Sequence, residues 1–432
     1  MPPLRFALIA VFAASLTAHA DMRVEADTAA SRIEQKVIAW RRDIHANPEL
    51  GNREFRTAAL VAKHLEQLGL EVKTGVAHTG VVGLLRGGQV GPTVALRADM
   101  DALPVIEQTG LPFASKVTTT WAGKETGVMH ACGHDTHVAM LMGVAEVLSG
   151  MRADLKGNVK FIFQPAEEGP PPGEEGGAAL MVKQGVMSNP KVDAVFGLHI
   201  GSSMETGKLG YRSGPTMAAA DVLRITVKGR QTHGSAPWTG VDPIVVSAQI
   251  VLGLQTIMSR QIKVTKEPAV LSIGSISGGN RFNIIPEQVE MIGTIRTFDE
   301  EMRDEIHQRI RATATNIAAA AGATAEVEID KPYTVLVNDP VLTESMLPTL
   351  QRVAGEENLI LRDKTTGYED FAFFAQRAPG MFVFLGGSPP GTDLSKVAYN
   401  HSPRFLIDET ALVLGVRTLT HLTLDYMEMN AR

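Results

Sequence analysis

The sequence predicts an α/β protein in which helices surround a mostly parallel sheet, with a smaller α+β domain inserted into the chain. Apolar segments typical of strands alternate with helical segments up to about residue 211, and the pattern resumes near residue 332. Between them the order changes to strand, helix, two strands, helix and strand, which is the split-βαβ order of ferredoxin-like domains. We therefore assign 21–211 and 332–432 to the main domain and 212–331 to the insertion.

The composition is that of a folded, moderately acidic protein. With 432 residues, 44% of them hydrophobic and 20% charged, the chain can bury a large core, and its length favours two or three domains. It carries 41 Lys and Arg against 47 Asp and Glu, a net charge of -6, without long runs of one sign. This balance argues against a nucleic-acid or anionic-membrane surface, so small molecules or peptides are the expected partners.

The first twenty residues have the pattern of a secretory signal. Arg5 precedes an apolar stretch over 6–16, and Ala18 and Ala20 form a small-x-small ending. A buried helix is the alternative, but the stretch lies at the N-terminus and is too short to span a bilayer. We expect cleavage after Ala20 and a secreted or periplasmic protein. No later stretch is typical of a membrane span.

The main domain begins with two predicted helices. Ser31 and Glu34 form a possible capping box for the first, and the second runs from about residue 54 to 68 and stops at Gly69. The following elements are a strand in the stretch 93–104 that ends at Asp99 and Asp101, a helix over 136–148, and strands over 158–168 and 193–200.

The inserted domain contains predicted strands at 221–229, 269–279, 287–299 and 324–330, with helices over 243–258 and 300–320. After residue 332 the pattern predicts a helix after Pro340, a strand over 381–387 and a C-terminal helix from about Glu409.

Chemically useful side chains follow several strands of the main domain. Asp99 and Asp101 end one strand, Glu167 and Glu168 follow another, and His199 nearly ends a third. In open α/β sheets, ligands bind beyond the carboxyl ends of the strands. These side chains are therefore expected to meet in one site.

The stretch "MHACGHDTH" suggests a metal centre. Cys132 is the only cysteine, so it forms no internal disulfide, and Cys132 and His134 can both point inward from a glycine-containing turn. A thiolate and an imidazole suit zinc, and added carboxylates would allow two ions. His137, one helical turn after His134, is interpreted as a residue that caps or packs the helix.

The stretch "QPAEEG" places two adjacent carboxylates after a strand. One can bind a metal while the other acts as a base, which amide hydrolysis at neutral pH requires. We interpret Glu167 as the base and Glu168 as the ligand, although the sequence alone does not order the pair. A solvated acidic turn is the structural alternative.

Two other interpretations remain open at this point. Cys132 could be a nucleophile activated by His134 or by a distant histidine, which would leave the acidic pair, His199 and His401 without a role. A secreted binding protein without chemistry would not need an acid-base pair. Sensitivity to chelators rather than to iodoacetamide distinguishes a metal centre from a catalytic thiol.

Nine stretches occur in this order along the chain: "RRDIHANPELGNRE", "LRADMDALP", "MHACGHDTH", "QPAEEG", "GLHI", "THGSAPW", "FNIIPE", "GTIRTFD" and "NHSP". Together they closely resemble the M20 metallopeptidases, specifically the amidohydrolase subfamily that includes hippurate and auxin-conjugate hydrolases. The resemblance covers nearly all of the chain after residue 20. It implies a di-metal exopeptidase-type catalytic domain with an inserted lid and dimerisation domain.

The resemblance also implies a role for each matching residue of the main domain. Glu167 is the general base, and Asp101 orients a ligand and tunes its basicity. Cys132 is shared by two divalent metal ions, for which zinc is the first choice and manganese, nickel or cobalt are alternatives. The ligands implied are Cys132 for both ions, Glu168 and His401 for one, and His134 and His199 for the other.

Three residues of the inserted domain receive roles from the resemblance alone. His233 would stabilise the oxyanion, from the same chain or from a partner subunit, while Asn283 and Arg296 would hold the free carboxylate of the substrate. From the residues themselves, His233 is a turn residue, Asn283 a strand cap and Arg296 a residue on a solvated strand face.

Together these features predict a metal-dependent amidohydrolase that cleaves N-acyl amino acids into a free amino acid and a carboxylic acid. The acyl group, aromatic or aliphatic, is left open between hippurate-like and ochratoxin-like conjugates. A metallo-carboxypeptidase or dipeptidase acting on short peptides is the alternative. The resemblance also predicts a homodimer or higher homo-oligomer formed through the inserted domain.

Overall fold

The computed structural model describes the backbone of residues 4–431 and the side chains of residues 22–431. The predicted signal, residues 1–20, lies outside the described side chains. The helices are α1 (Leu4–Ala46), α2 (Phe55–Gln67), α3 (His134–Gly150), α4 (Gly177–Lys183), α5 (Pro243–Thr256), α6 (Glu300–Ala320), α7 (Pro340–Ala354), α8 (Ala372–Ala375) and α9 (Ala411–Met429).

The strands of the first half of the chain are β1 (Glu71–Val76), β2 (Gly80–Arg86), β3 (Gln89–Asp99), β4 (Thr118–Trp121), β5 (Lys124–Gly127), β6 (Lys156–Gln164), β7 (Ala194–Glu205), β8 (Leu209–Tyr211) and β9 (Gly214–Met217). Those of the second half are β10 (Ala219–Lys228), β11 (Thr232–His233), β12 (Ala269–Gly278), β13 (Ile284–Ile285), β14 (Gln288–Thr297), β15 (Thr324–Tyr333), β16 (Leu336–Asn338), β17 (Leu359–Leu361) and β18 (Gly380–Ser388).

The chain divides into two compact units. The first consists of Met1–Ser213, Asn338–Arg362 and Phe373–Arg432, and the second of Gly214–Val337 and Asp363–Ala372.

The short segment at 363–372 belongs to the second unit, whereas the sequence placed it in the main domain. Its backbone explains the difference, because the Thr365 N–H donates to the carbonyl of Thr216 and the Ala218 N–H donates to the carbonyl of Thr365. Such backbone pairing between distant positions has no periodic signature in the sequence.

The first unit is built on a mixed eight-stranded sheet in the order β1-β2-β6-β3-β7-β18-β8-β17. The central strands β6, β3, β7 and β18 are parallel, as predicted, while β1, β2 and β8 pair antiparallel with their inner neighbours. Helices α3 and α9 pack against β3, and α1 packs against both helices. This arrangement confirms the predicted α/β class and aligns the ends of the central strands.

The first helix does not begin at the predicted capping box. α1 is continuous through Ser31, whose hydroxyl donates to the carbonyl of Asp27 one turn earlier at 2.9 Å. A serine in this geometry lies inside a helix rather than at its N-terminus, so the capping-box prediction was wrong. The end of α2 agrees with the prediction, because Gly69 adopts a left-handed φ of +73°.

Strand β3 ends at Asp99, within the predicted range, and lies beside the end of β6, with Asp99 opposite Gln164. The loops beyond these two strands therefore carry the acidic residues that the sequence placed at the strand ends. They are Asp101, Glu167 and Glu168. Loops at the carboxyl ends of parallel strands can turn side chains toward a common point.

The second unit contains an antiparallel four-stranded sheet in the order β12-β14-β10-β15, with α5 and α6 packed on it. In chain order these strands are the second, third, first and fourth, which is the split-βαβ topology predicted from the sequence. Its core includes Leu223, Ile225, Ile250 and Ile306.

One helical stretch, Pro243–Gln261, is long and apolar enough to cross a membrane, judged over the described residues by length and composition alone. Its residues Val246, Ile250 and Leu254 are buried against the second unit's sheet. Core helices pass the same test, so the expectation that the chain has no membrane span stays a prediction.

Candidate metal centre

Five predicted ligands from distant parts of the first unit lie together. The Cys132 Sγ is 3.3 Å from the His199 Nε2 and 3.3 Å from the His401 Nε2. The His401 Nε2 is also 3.0 Å from the Glu168 Oε1. Ligand atoms of Cys132, His134 and His199 lie within 4.8 Å of one another, as do those of Cys132, Glu168 and His401. The geometry thus forms two ligand sets that share the Cys132 sulfur.

The loop that carries Cys132 needs a glycine. Gly133 has φ +95°, and a Cβ on it would lie 2.8 Å from the Ile200 Cγ2. Helix α3 begins at the next residue, so this turn directs Cys132 and His134 from consecutive structural elements into the site.

His401 is held in an uncommon backbone conformation. Its φ is +72°, which is disfavoured for residues with a Cβ, and its N–H donates to the carbonyl of Ala131 at 2.8 Å. The neighbouring Asn400 amide donates to the carbonyl of Cys132 at 2.9 Å. These bonds tie the loop of His401 to the loop of Cys132, although the two are far apart in sequence.

Two histidines present their Nε2 atoms to the site. The His134 Nδ1 donates to the carbonyl of Asp101 at 2.8 Å, and the His199 Nδ1 donates to the carbonyl of Ile200 at 2.6 Å. Each Nε2 therefore keeps its lone pair in the neutral ring. The His134 Nε2 is buried and has no hydrogen-bond partner among the described residues, as expected of an atom placed to bind a cation.

Asp101 orients the acidic pair through the backbone. Its Oδ1 accepts the N–H of Glu167 and its Oδ2 accepts the N–H of Glu168, both at 3.0 Å. Asp101 is buried, so both carboxylate oxygens are committed to this turn. The Glu167 Oε2 lies 3.9 Å from the His134 Nε2, and ligand atoms of His134, Glu167 and Glu168 lie within 4.8 Å of one another.

A second buried acid, Glu54, supports the same turn and was missed by the sequence analysis. Its Oε1 accepts the N–H of Ala166 at 2.9 Å and of Asn52 at 3.1 Å, and its Oε2 accepts the Thr79 hydroxyl. Burial and the charge of Asp101 raise the pKa of Glu54 to about 8. Glu54 stands in one of the quoted stretches, but its position at a helix start gave no indication of this contact.

The environment of Cys132 is unlike that of a nucleophilic thiol. Burial and the nearby charge of Glu168 raise the pKa of Cys132, whereas reactive cysteines have a lowered pKa and partial exposure. Hydrogen bonds with Cys132 and Glu168 raise the pKa of His401 to about 10. A divalent cation would reverse these preferences by displacing protons from both side chains. The donor set therefore fits metal binding better than thiol catalysis.

His137 has no ring nitrogen left for a metal ion. Its Nε2 accepts the backbone N–H of Ile200 at 3.0 Å, so its Nδ1 donates to the Asp99 Oδ1 at 2.6 Å. Asp99 is itself paired with Arg97. This geometry agrees with the interpretation of His137 as a packing residue.

The three remaining predicted residues lie in the second unit. His233 lies on β11 and is exposed, and the N–H of the adjacent Gly234 donates to the carbonyl of Asn283 at 2.8 Å. Arg296 lies on β14 with its guanidinium carbon 5.4 Å from the ring centroid of Tyr368. The Arg296 Nη1 and the Asn283 Oδ1 are buried without hydrogen-bond partners among the described residues, so both have unused hydrogen-bonding capacity.

Comparison with known proteins identifies similar chains over nearly the whole length. The model of the family described as Peptidase family M20/M25/M40 matches residues 95–425. Thermostable carboxypeptidase 2 of Saccharolobus solfataricus is 44% identical over 385 residues, which cover 89% of this chain and 93% of that protein. N-acetyl-L-cysteine deacetylase of Bacillus subtilis is 38% identical over 383 residues, covering 89% of this chain and 86% of that protein.

A solved structure gives the same result for the fold. The Bacillus subtilis YXEP protein, described as a dinuclear metal binding peptidase from the M20 family, superposes with a TM-score of 0.78. It is 36% identical, and the alignment covers 92% of this chain and 99% of that one.

Proposed function

The chain belongs to the peptidase family M20/M25/M40 and is a hydrolase acting on amide bonds, and on this premise we propose that it cleaves N-acyl amino acids. The products would be a free amino acid and a carboxylic acid. The observation that carries this proposal is the convergence of Cys132, Glu168 and His401 with His134 and His199, beside the carboxylate of Glu167.

We propose that the two ligand sets hold two divalent ions, with Cys132 in both. Zinc is the first choice because thiolate and imidazole donors dominate, and manganese, nickel or cobalt also suit this mixture with carboxylate. Bound at these residues, such ions would supply Lewis acidity and would make hydroxide accessible at neutral pH. The buried, unpartnered Nε2 of His134 supports this assignment.

In this proposal Glu167 acts as the general base and then as the general acid. It takes the proton of the attacking water and delivers it to the leaving nitrogen of the amide. Asp101 accepts the backbone N–H of Glu167, so the turn from which the Glu167 side chain extends is fixed before the substrate binds.

The second unit is proposed to supply the remaining contacts with the substrate. His233 would donate a hydrogen bond to the developing oxyanion, from the same chain or from a partner subunit. Arg296 and Asn283 would hold the free carboxylate of the amino acid, and the unpaired Nη1 of Arg296 supports an anion at that position. As a lid, the unit would close over the bound substrate.

We propose that the second unit also mediates self-association. Strand β12 is an edge of its four-stranded sheet, and apolar side chains on it and on nearby elements are exposed. These are Ile244, Val245, Leu252, Ile276 and Ile292. A homodimer or higher homo-oligomer would cover this surface.

Export of the protein after cleavage at Ala20 is likewise proposed from the N-terminal pattern. The pair between Arg23 and Asp425, at 2.7 Å, would remain in a mature chain beginning at Asp21. Mass spectrometry of protein purified from the producing cells would show this N-terminus, and an intact residue 1 in the exported protein would contradict the proposal.

The substrate proposal is tested with the mature, metal-reconstituted protein on a panel of hippurate, other N-acyl amino acids, ochratoxin A and dipeptides. Turnover of the acyl amino acids should exceed that of the dipeptides, and chelation should abolish both. Glu167→Ala is the matched control, because it should lose turnover while retaining both metal ions. No turnover of any N-acyl amino acid by the fully metallated protein would refute the proposal.

A carboxypeptidase activity is the second candidate, favoured by the 44% identity with a thermostable carboxypeptidase. Both activities require a free carboxylate beside the scissile amide, so the same site would serve them. Faster release of C-terminal residues from peptides than of amino acids from acyl conjugates would select this alternative.

A further inference from the structure

The ring of His233 has an unusual arrangement of donors around one nitrogen. Its Nδ1 is 3.1 Å from the backbone nitrogen of Ser235 and 2.7 Å from the Ser235 Oγ. The turn that brings Ser235 back to the ring is closed by the Ala236 N–H, which donates to the carbonyl of His233 at 2.9 Å. Ser235 thus offers the His233 Nδ1 two hydrogen-bond donors, its backbone N–H and its side-chain hydroxyl.

A backbone N–H can only donate a hydrogen bond, so the Nδ1 of His233 must accept it with a lone pair. In the neutral ring the proton then resides on Nε2. The Ser235 hydroxyl can rotate to donate to the same lone pair, which strengthens the preference. We propose that Ser235 is a positioning residue that fixes His233 in the tautomer protonated at Nε2.

This inference rests on the proposed function and makes it more specific. With the proton at Nε2, the outer edge of His233 is a neutral hydrogen-bond donor, which suits an oxyanion formed at the scissile carbonyl. A general base at the same place would need a lone pair on Nε2, and this tautomer has none there. His233 therefore donates to the substrate, and the proton transfers belong to another residue.

The tautomer is measured directly by nitrogen NMR of the full chain labelled with ¹⁵N-histidine, without substrate. The His233 signals are identified by their loss in His233→Asn. The expected result is a pyridine-type Nδ1 and a pyrrole-type Nε2 at a pH where the ring is neutral. A pyrrole-type Nδ1 would overturn the inference.

The contribution of Ser235 is tested with Ser235→Ala and Ser235→Thr. Ser235→Ala removes the hydroxyl but keeps the backbone N–H, so one of the two donors to the Nδ1 remains. The His233 signals should therefore shift part of the way toward a tautomer mixture, and kcat should fall about three- to ten-fold with KM changed less than about two-fold. Ser235→Thr should restore both properties because it keeps the hydroxyl at an exposed position. Ser259→Ala, which removes another exposed serine hydroxyl of the same unit, is the matched control and should change neither.

Unchanged His233 signals in Ser235→Ala would refute the role of the side chain. The NMR measurement needs no turnover, so it separates the two proposals. An enzyme inactive on N-acyl amino acids with the expected tautomer would refute only the proposed function. An active enzyme with the proton on Nδ1 would refute only the positioning role of Ser235.

Discussion

A buried network of charged side chains around His45 should make the protein less stable at alkaline pH. The His45 Nδ1 lies 2.8 Å from the Asp135 Oδ2, and its Nε2 lies 3.1 Å from the Glu107 Oε1. Arg41 also pairs with Asp135 at 2.8 Å. Burial opposes protonation of His45, but the charge of Asp135 and the two hydrogen bonds outweigh it and raise the pKa of His45 to about 9.

The sign and size of the effect follow from this pKa. A histidine whose pKa is higher in the folded than in the unfolded state stabilises the fold fully below the unfolded value of 6.5. The contribution is lost as the pH rises from 6.5 through about 9. At about 1.36 kcal/mol for each pH unit, the loss amounts to about 3 kcal/mol in the free energy of unfolding.

The measurement is urea unfolding of the metal-free protein at pH 6.5 and pH 9.5, followed by circular dichroism, for the native sequence and for His45→Gln. The native protein should lose about 3 kcal/mol more than the variant over this range. His64→Gln is the matched control, because burial lowers the pKa of His64 in the folded protein, away from the alkaline range in which His45 loses its proton. Equal losses in the native protein and His45→Gln would refute the charged state of His45.

Three further predictions concern the metal centre and the second unit. Asp101→Asn removes one of the two carboxylate oxygens that accept the N–H groups of Glu167 and Glu168, so we expect the metal affinity to fall about 10- to 100-fold in chelator competition. An unchanged metal affinity would contradict the orienting role of Asp101. Cys132→Ser replaces the shared soft ligand, and elemental analysis after dialysis should find less than the native metal content; full retention of zinc would argue against the shared sulfur. Arg303→Met leaves the buried carboxylate of Asp221 paired with His307 alone, so it should lower the free energy of unfolding in urea by about 3–5 kcal/mol. Arg309→Met, which removes an exposed ion pair with Glu305, should lower it by less than about 1 kcal/mol. Similar losses in these last two variants would contradict the importance of burial.

The fold was predictable where hydrophobic periodicity and breakers agree. Helix α6 and strands β10, β12 and β14 were predicted from their periodicity to within a few residues, and Gly69 marked the end of α2. The start of α1 was not predictable, because a serine followed three residues later by an acidic residue occurs inside helices as well as in capping boxes at helix N-termini. Only the bond from Ser31 to Asp27 distinguishes the two.

Cys132, His134, Glu168 and His199 could be proposed as ligands from the residues themselves, because thiolate, imidazole and carboxylate groups cluster near predicted strand ends. The assignment of His401 came from the family resemblance. The order and orientation of the ligands could not be predicted, since these depend on backbone contacts such as those of Asp101 with the acidic pair. The role of Glu54 could not be predicted for the same reason. Its carboxylate accepts the backbone N–H groups of Ala166 and Asn52, and no local sequence pattern indicates these contacts. The tautomer of His233 likewise depends on the geometry of the turn to Ser235, which the amino-acid sequence alone does not specify.

The Cys132 and His401 side chains that meet in the metal centre are 269 positions apart in the chain. A cation bound between them would act as a reversible cross-link, present in the native state and absent from the unfolded ensemble. At a free concentration one hundred times its dissociation constant, such an ion adds about 2.7 kcal/mol to the stability of the native state. Without the ion the chain would therefore unfold more often and be more readily degraded by proteases.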